Sequence, residues 1–214
     1  MTNPLRNKKV LITCGPTWVP IDSVRVITNR SSGRLGHILA QDLKKEWARI
    51  TVLEGPVTDV WYPDSIQVIK FHYYSELAGL LYGELKKDYD IILHLAAVSD
   101  YQPKKPQASK ISSDLKRLKL QLVPTEKLID KIKPLSPQVI LVGFKMEEKL
   151  KSRAWKARVS RLFQKAQCDL VVLNSLKENR YRGCIIDPTN RVLAQGENRQ
   201  EIAKKLVDIL KKKI

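Results

Sequence analysis

Apolar residues fall into two alternating patterns along the chain. Short, almost unbroken apolar runs recur at Lys8–Cys14, Ile50–Leu53, Ile66–Phe71, Asp90–Val98, Gln138–Phe144 and Asp169–Leu173. Runs of this length without polar alternation predict strands covered on both faces. Between them, Gly33–Trp47 and Ser75–Leu85 repeat their apolar residues every three or four positions and predict helices, with Ser75 capping the second. Towards the end, Gly183–Ile186 and Arg191–Ala194 flank the turn residues DPTN and predict a hairpin, followed by a helix from Arg199 to Lys212. Strands separated by helices predict an α/β fold. The expected form is a doubly wound, mostly parallel sheet with a C-terminal hairpin and helix, in one domain over residues 1–214.

Two segments break the alternation. Gly15–Ser32 is long for a strand-to-helix connection, and Tyr101–Asp114 carries Pro, Lys and Ser without an apolar period. Both follow strands, and long loops at strand C-termini are where open α/β sheets bind ligands.

Composition narrows the class. The chain has 214 residues, 43% of them hydrophobic, which suffices for a sizeable core. Three cysteines without zinc spacing exclude a disulfide scaffold and a zinc cluster. The N-terminus has no apolar stretch of signal-peptide type, and the longest apolar run is too short to span a bilayer, so a soluble, cytoplasmic protein is expected. Lys and Arg number 39 against 22 Asp and Glu, a net charge of +17. Such a surplus attracts anions: nucleic acid, acidic membrane, nucleotides or phosphorylated metabolites. Much of it lies in runs such as KKEW, KKDYD and the KKKI tail, which also fit plain solvated surface.

Four constellations carry candidate chemistry. Gly15, after the first strand, and Ser31, Ser32, Gly33 and Gly36, opening the first helix, could cradle a phosphate with backbone N–H groups and hydroxyls. The same residues would serve as an N-cap with glycines for close packing. Ala96, Ala97 and Asp100 end the most buried strand, where small residues leave room for a ligand and Asp100 could bind it or cap a turn. Lys110 lies in the irregular loop, free to close over a polyphosphate or to face water. Phe144 and Asn174 end two further strands. Arg161 and Lys165, four apart, share one helix face and would reach a phosphate or solvent. His37, His72 and His94 show no metal or triad pattern, and His94 reads as a core histidine. Cys14 reads as a small buried residue rather than a nucleophile.

In order, the segments ITCGPTWVPIDSVRVITNRSSGRLG, AAVSDY, SKIS, GFKME and DLVVLN resemble the phosphopantothenate–cysteine ligases of the coenzyme A pathway, over nearly the whole chain. The resemblance implies a Rossmann-like fold and a homodimer. It implies activation of the 4′-phosphopantothenate carboxylate by a nucleoside triphosphate with Mg2+, then amide formation with L-cysteine. In many bacteria this domain follows a flavin-dependent decarboxylase. Nothing precedes Met1 to hold that half, so a stand-alone ligase without flavin is expected. By motif, Asn29 would hold the substrate and acyl-nucleotide and polarise the acyl carbonyl. Gly15, Ser31, Gly33 and Gly36 would bind phosphates, and Ala96, Ala97 and Asp100 would line the pantothenate and nucleotide site. Lys110 would act at the triphosphate, Phe144 and Asn174 would border the nucleotide, and Arg25 would reach the substrate phosphate of the other subunit. Arg161 and Lys165 resemble a helical basic pair of bacterial members. Bacterial members mostly use CTP and eukaryotic ones ATP; the sequence leans bacterial, which implies CTP. No resident metal site is implied.

Two rivals remain at this level. Glu54, ending the second strand, sits where dinucleotide folds place a ribose-binding acid, which would suit an NAD(P)-dependent oxidoreductase. The net charge would suit a basic nucleic-acid-binding module, although the tryptophans form no basic-aromatic ladder.

Overall fold

The computed structural model describes residues 3–147, 154–178 and 180–214. The first apolar run forms β1 (Lys9–Cys14), buried throughout after Lys9. A small antiparallel pair, β2 (Trp18–Pro20) and β3 (Val26–Thr28), follows before α1 (Arg34–Lys45). Next come β4 (Arg49–Glu54), β5 (Gln67–Lys70), α2 (Tyr74–Glu84) and β6 (Ile91–His94). A second small pair, β7 (Tyr101–Pro103) with β8 (Leu122–Pro124), holds an arm between its strands. A 3-10 turn (Leu128–Lys131) and α3 (Ile132–Leu135) lead to β9 (Ile140–Met146), α4 (Ala154–Gln164) and β10 (Leu170–Lys177). The chain ends with β11 (Arg180–Ile186), β12 (Val192–Gly196) and α5 (Arg199–Lys213).

Eight strands form one sheet in the order β12-β11-β10-β9-β6-β1-β4-β5. The six from β10 to β5 are parallel, while β11 and β12 are antiparallel additions. Counted along the chain, the parallel strands lie in the order 3-2-1-4-5-6 of doubly wound nucleotide folds. The order reverses between β1 and β6, so a crevice opens beyond the C-terminal ends of those two strands.

Each face of the sheet has its own core. Val10 and Ile12 pack under Leu39 and Leu43 of α1 and Leu206 and Leu210 of α5. Leu11 and Ile92 pack under Leu77 and Leu81 of α2 and Leu162 of α4. Alternate residues of one strand thus feed opposite cores, which is why its sequence is apolar without interruption. The apolar stripe of α5 is consumed in this packing rather than offered to a membrane. No helix among the described residues is long and apolar enough to cross one.

The sequence-based elements hold with shifted edges, and three details are corrected. The second helix starts at Tyr74, so Ser75 lies inside the first turn; Glu76 reaches back instead, accepting from the backbone N–H of His72 at 2.7 Å and Tyr73 at 3.1 Å. The strand expected over Asp90–Val98 ends at His94. Beyond it Leu95 donates to the Thr13 carbonyl and Ala97 to that of Gly15, so the small residues run beside the extension of β1. Both irregular segments contain strands, each only three residues long and therefore too short to show a period of two.

His94 is a core histidine. It is 7% exposed, its Nδ1 lies 3.0 Å from the Thr13 hydroxyl, and burial pushes its pKa down to about 4. An unfolded chain's histidine titrates near 6.5. Between those values the unfolded state binds the extra proton, so stability rises with pH across the window and is lost as pH falls through it. The full difference is on the order of 3 kcal/mol. The thermal midpoint should therefore drop further between pH 7 and 4.5 in wild type than in His94→Gln; equal drops would remove His94 as the cause.

Candidate functional site

The crevice at the strand-order reversal is a cleft of about 220 Å³. Gly15 forms its floor at φ +79°, and a Cβ there would meet the Gly55 backbone at 3.0 Å, so only glycine fits. Gly33 caps α1 in the left-handed conformation, φ +66°. No side chain caps this helix and no acid sits in its first turn. The positive end of the helix and its orphan N–H groups are thus available to an anion. Gly36 serves a second purpose: a Cβ there would lie 2.5 Å from Cys14 Cβ, so its missing side chain lets α1 rest on the end of β1.

Gly15, Ser31, Gly33, Gly36, Ala96, Ala97, Phe144 and Asn174 all line this one cleft, although they come from five separate stretches of sequence. Asn29 stands beside it, its side-chain amide donating to the carbonyls of Ala97 at 3.3 Å and Val98 at 3.0 Å. Both N–H bonds of that amide are engaged, while its oxygen has no partner among the described residues.

The remaining sequence-derived candidates lie outside the cleft lining. Asp100 is exposed and paired with Lys127. Arg25 donates to Asp22 and to the Ile111 carbonyl, and Asp22 accepts the Ile111 N–H at 3.1 Å. Burial opposes the Asp22 charge, but hydrogen bonds from Val24, Ile111 and Arg25 hold its carboxyl well below the usual range. The β2–β3 hairpin therefore anchors the arm next to Lys110, which is itself exposed. Arg161 turns to Asp130 at 2.6 Å, on the opposite side of the sheet from α1, and Lys165 is exposed beside it.

Other lining residues escaped sequence reasoning. Arg30 and Arg34 flank the SSG triplet and were within reach of it. Tyr181 and Arg199 had no signal, because only the antiparallel pairing of β10 with β11 and the packing of α5 bring them here. Arg30, Arg34 and Arg199 make no ion pair among the described residues, and no Asp or Glu among those residues lines the cleft. The site is thus electropositive by construction.

Glu54 is fully buried and already bound, accepting from the Tyr62 hydroxyl at 2.6 Å and from Lys70. Its carboxylate is occupied where a dinucleotide site would present it to a ribose. Burial, then the charge of Glu54, pushes the neighbouring Cys14 thiol up to about 12, so it stays a protonated wall group rather than a nucleophile.

Residues 5–213 match the DFP family, described as the DNA/pantothenate metabolism flavoprotein C-terminal domain. The chain belongs to this family. Among curated DFP relatives, the coenzyme A biosynthesis bifunctional protein CoaBC of Thermococcus kodakarensis is 38% identical over 175 residues, which is 81% of this chain and 42% of that protein. The chain spans about half the length of the curated relatives it matches, 42% to 60% of the first three. The DNA/pantothenate metabolism flavoprotein of Streptococcus pneumoniae has the same fold, with a TM-score of 0.86, 24% identity, and coverage of 97% of this chain and 100% of that one. A Cab2 variant in complex with phosphopantothenate-cysteine superposes with a TM-score of 0.78 at 19% identity, covering 97% of this chain and 87% of its own. The DFP match covers β1 to α5, so the whole eight-stranded sheet and its cleft are the family's fold.

Proposed function

We propose that this DFP domain is a phosphopantothenate–cysteine ligase working in the cleft at the end of β1 and β6. The observation that carries the reading is the convergence of eight motif residues on one arginine-rimmed cleft at the strand-order reversal, with no carboxylate among its described lining residues. The names of the CoaBC relatives and the product named in the Cab2 complex support the same substrates.

The chemistry asks for little more than this cleft offers. A carboxylate is a poor electrophile, since its oxide is a poor leaving group. In the first step a carboxylate oxygen of 4′-phosphopantothenate bonds to the α-phosphorus and pyrophosphate leaves. In the second the cysteine nitrogen bonds to the acyl carbon, the nucleoside monophosphate leaves, and the amine proton passes to water or phosphate. Nothing is oxidised or reduced, so the reaction needs no flavin. The protein's contribution is to hold like-charged partners together and to place donors where charge develops. The uncapped α1 and the rim arginines suit that task. CTP is the proposed nucleotide. Among the described residues no group of three or more His, Cys, Asp or Glu could hold a metal ion, so magnesium would enter on the triphosphate oxygens.

A homodimer is part of the proposal. Leu118, Leu120, Leu122 and Tyr101 are exposed on the β7–β8 arm, and Arg25 and Lys110 gather beside that arm rather than at their own cleft. A second copy seated on the arm would cover the leucines and bring both cations to its own site; sedimentation equilibrium measures whether it forms. The function itself is tested by pyrophosphate release with 4′-phosphopantothenate, cysteine and magnesium, with CTP and ATP in parallel. Release dependent on the acid, faster with CTP, is expected; none with either nucleotide refutes the ligase reading.

A further inference from the structure

We propose that Arg199 grips the terminal phosphates of the nucleotide from the wall facing α1, and that Tyr181 is the positioning residue that holds its guanidinium flat. The inference rests on the ligase reading and adds a binding residue from a part of the chain that no motif marks. Arg199 opens α5, and its guanidinium carbon lies 4.7 Å from the centroid of the Tyr181 ring. It lines both the main cleft and an adjoining recess whose far wall is Pro56, Val57, Thr58 and the carboxylate Asp59, and Ser31, Ser32 and Arg34 line the same two spaces. A polyphosphate lying along α1's first turn would therefore run between Arg34 and Arg199.

Two independent features mark this wall as built for a ligand. Two arginines of the preceding hairpin are paired within the fold: Arg182 with Glu197 at 2.7 Å and Arg191 with Asp187 at 3.3 Å. Arg199 makes no ion pair among the described residues and lies over an aromatic face instead, a contact that uses none of its donors. Beside it, the Tyr181 hydroxyl and the Asn174 side chain are buried next to each other, in residues 5% and 7% exposed, with no hydrogen-bond partner beyond each other among the described residues. Buried polar atoms left open carry a cost that a bound ligand, or the water it orders, removes. Lys110, Arg161 and Lys165 lie outside the cleft lining of their own chain, so within one chain the cations facing a nucleotide there are Arg30, Arg34 and Arg199.

The test is calorimetric titration with a non-hydrolysable α,β-methylene nucleoside triphosphate and with the matching monophosphate. Arg199→Gln should weaken the triphosphate analogue on the order of tenfold, the loss of a charge-assisted bidentate contact. It should weaken the monophosphate by less than about threefold, since that ligand lacks the terminal phosphates. Arg199→Lys should keep part of the affinity. Tyr181→Leu should reproduce much of the loss, and Tyr181→Phe, which keeps the platform, should recover it. Arg182→Gln, outside the cleft, should leave both titrations as in wild type. Equal weakening of both nucleotides by Arg199→Gln, or none, overturns the assignment while wild type still releases pyrophosphate. A wild type that releases none sinks the ligase reading itself.

Discussion

Replacing Asn29 by aspartate should stop amide formation while the acyl-nucleotide accumulates. The Asn29 amide donates to the carbonyls of Ala97 and Val98, at 3.3 and 3.0 Å. An aspartate offers no donor and sets a negative charge against two carbonyl oxygens and, in the occupied site, against anionic substrates. In the proposed reaction the first step would depend on phosphate contacts with α1 and the rim arginines, which the substitution leaves in place. The second step would depend on the backbone beyond β6, which the Asn29 amide holds in place through those two carbonyls. Misplacing the reacting groups in this way should cost on the order of a hundredfold in turnover. Rapid quenching should show pyrophosphate released in about one equivalent per site, with the acyl-nucleotide present and no amide product. Amide formation at the wild-type rate would refute the role, and so would loss of pyrophosphate release, which would move Asn29 to the first step.

The parallel sheet was legible because it is buried on both faces. Strands such as β1 and β10 feed opposite cores with alternate residues, so their sequences are almost purely apolar, while α1 and α5 carry one apolar stripe each. Three-residue strands such as β2 and β7 have too few positions for any period. Motif residues reached the cleft because they sit at fixed distances from strand ends. Arg161 and Lys165 show the limit of that logic. Spacing of four says that two side chains share a face, but the direction of the face depends on packing, and α4 turns Arg161 to Asp130. Tyr181 and Arg199 were illegible for the opposite reason: each looks ordinary in its own segment, and only long-range pairing makes them neighbours.

Gly36→Ala should cost stability and nucleotide affinity together. A phosphate-cradling glycine and a packing glycine look identical in the sequence SSGRLG, and the structure separates them. The added Cβ would lie 2.5 Å from Cys14 Cβ and 3.1 Å from its sulfur, and Cys14 is 1% exposed at the end of β1. No flexible tip is available to give way, so the N-terminal turn of α1 must lift. Overpacking of this kind costs about 1–3 kcal/mol. For a chain of this size that is a fall in thermal midpoint of roughly 2–12 °C. The same movement carries Gly33 and the first-turn N–H groups away from the phosphate position, so triphosphate affinity should fall with it. If Gly36 served only to admit the phosphate, the nucleotide would bind more weakly at an unchanged midpoint, and that outcome would overturn the packing role. Adding Cys14→Gly removes the colliding atom, so the double variant should lose less than the sum of the two single changes. Gly79 is the matched contrast: it is exposed within α2, and a Cβ there meets nothing within 4 Å. Gly79→Ala should stabilise by about 0.5–1 kcal/mol through helix propensity and the lost freedom of the unfolded chain. One methyl group thus changes sign between two helices, because the first helix must touch a strand at its N-terminus to bring its dipole to the cleft.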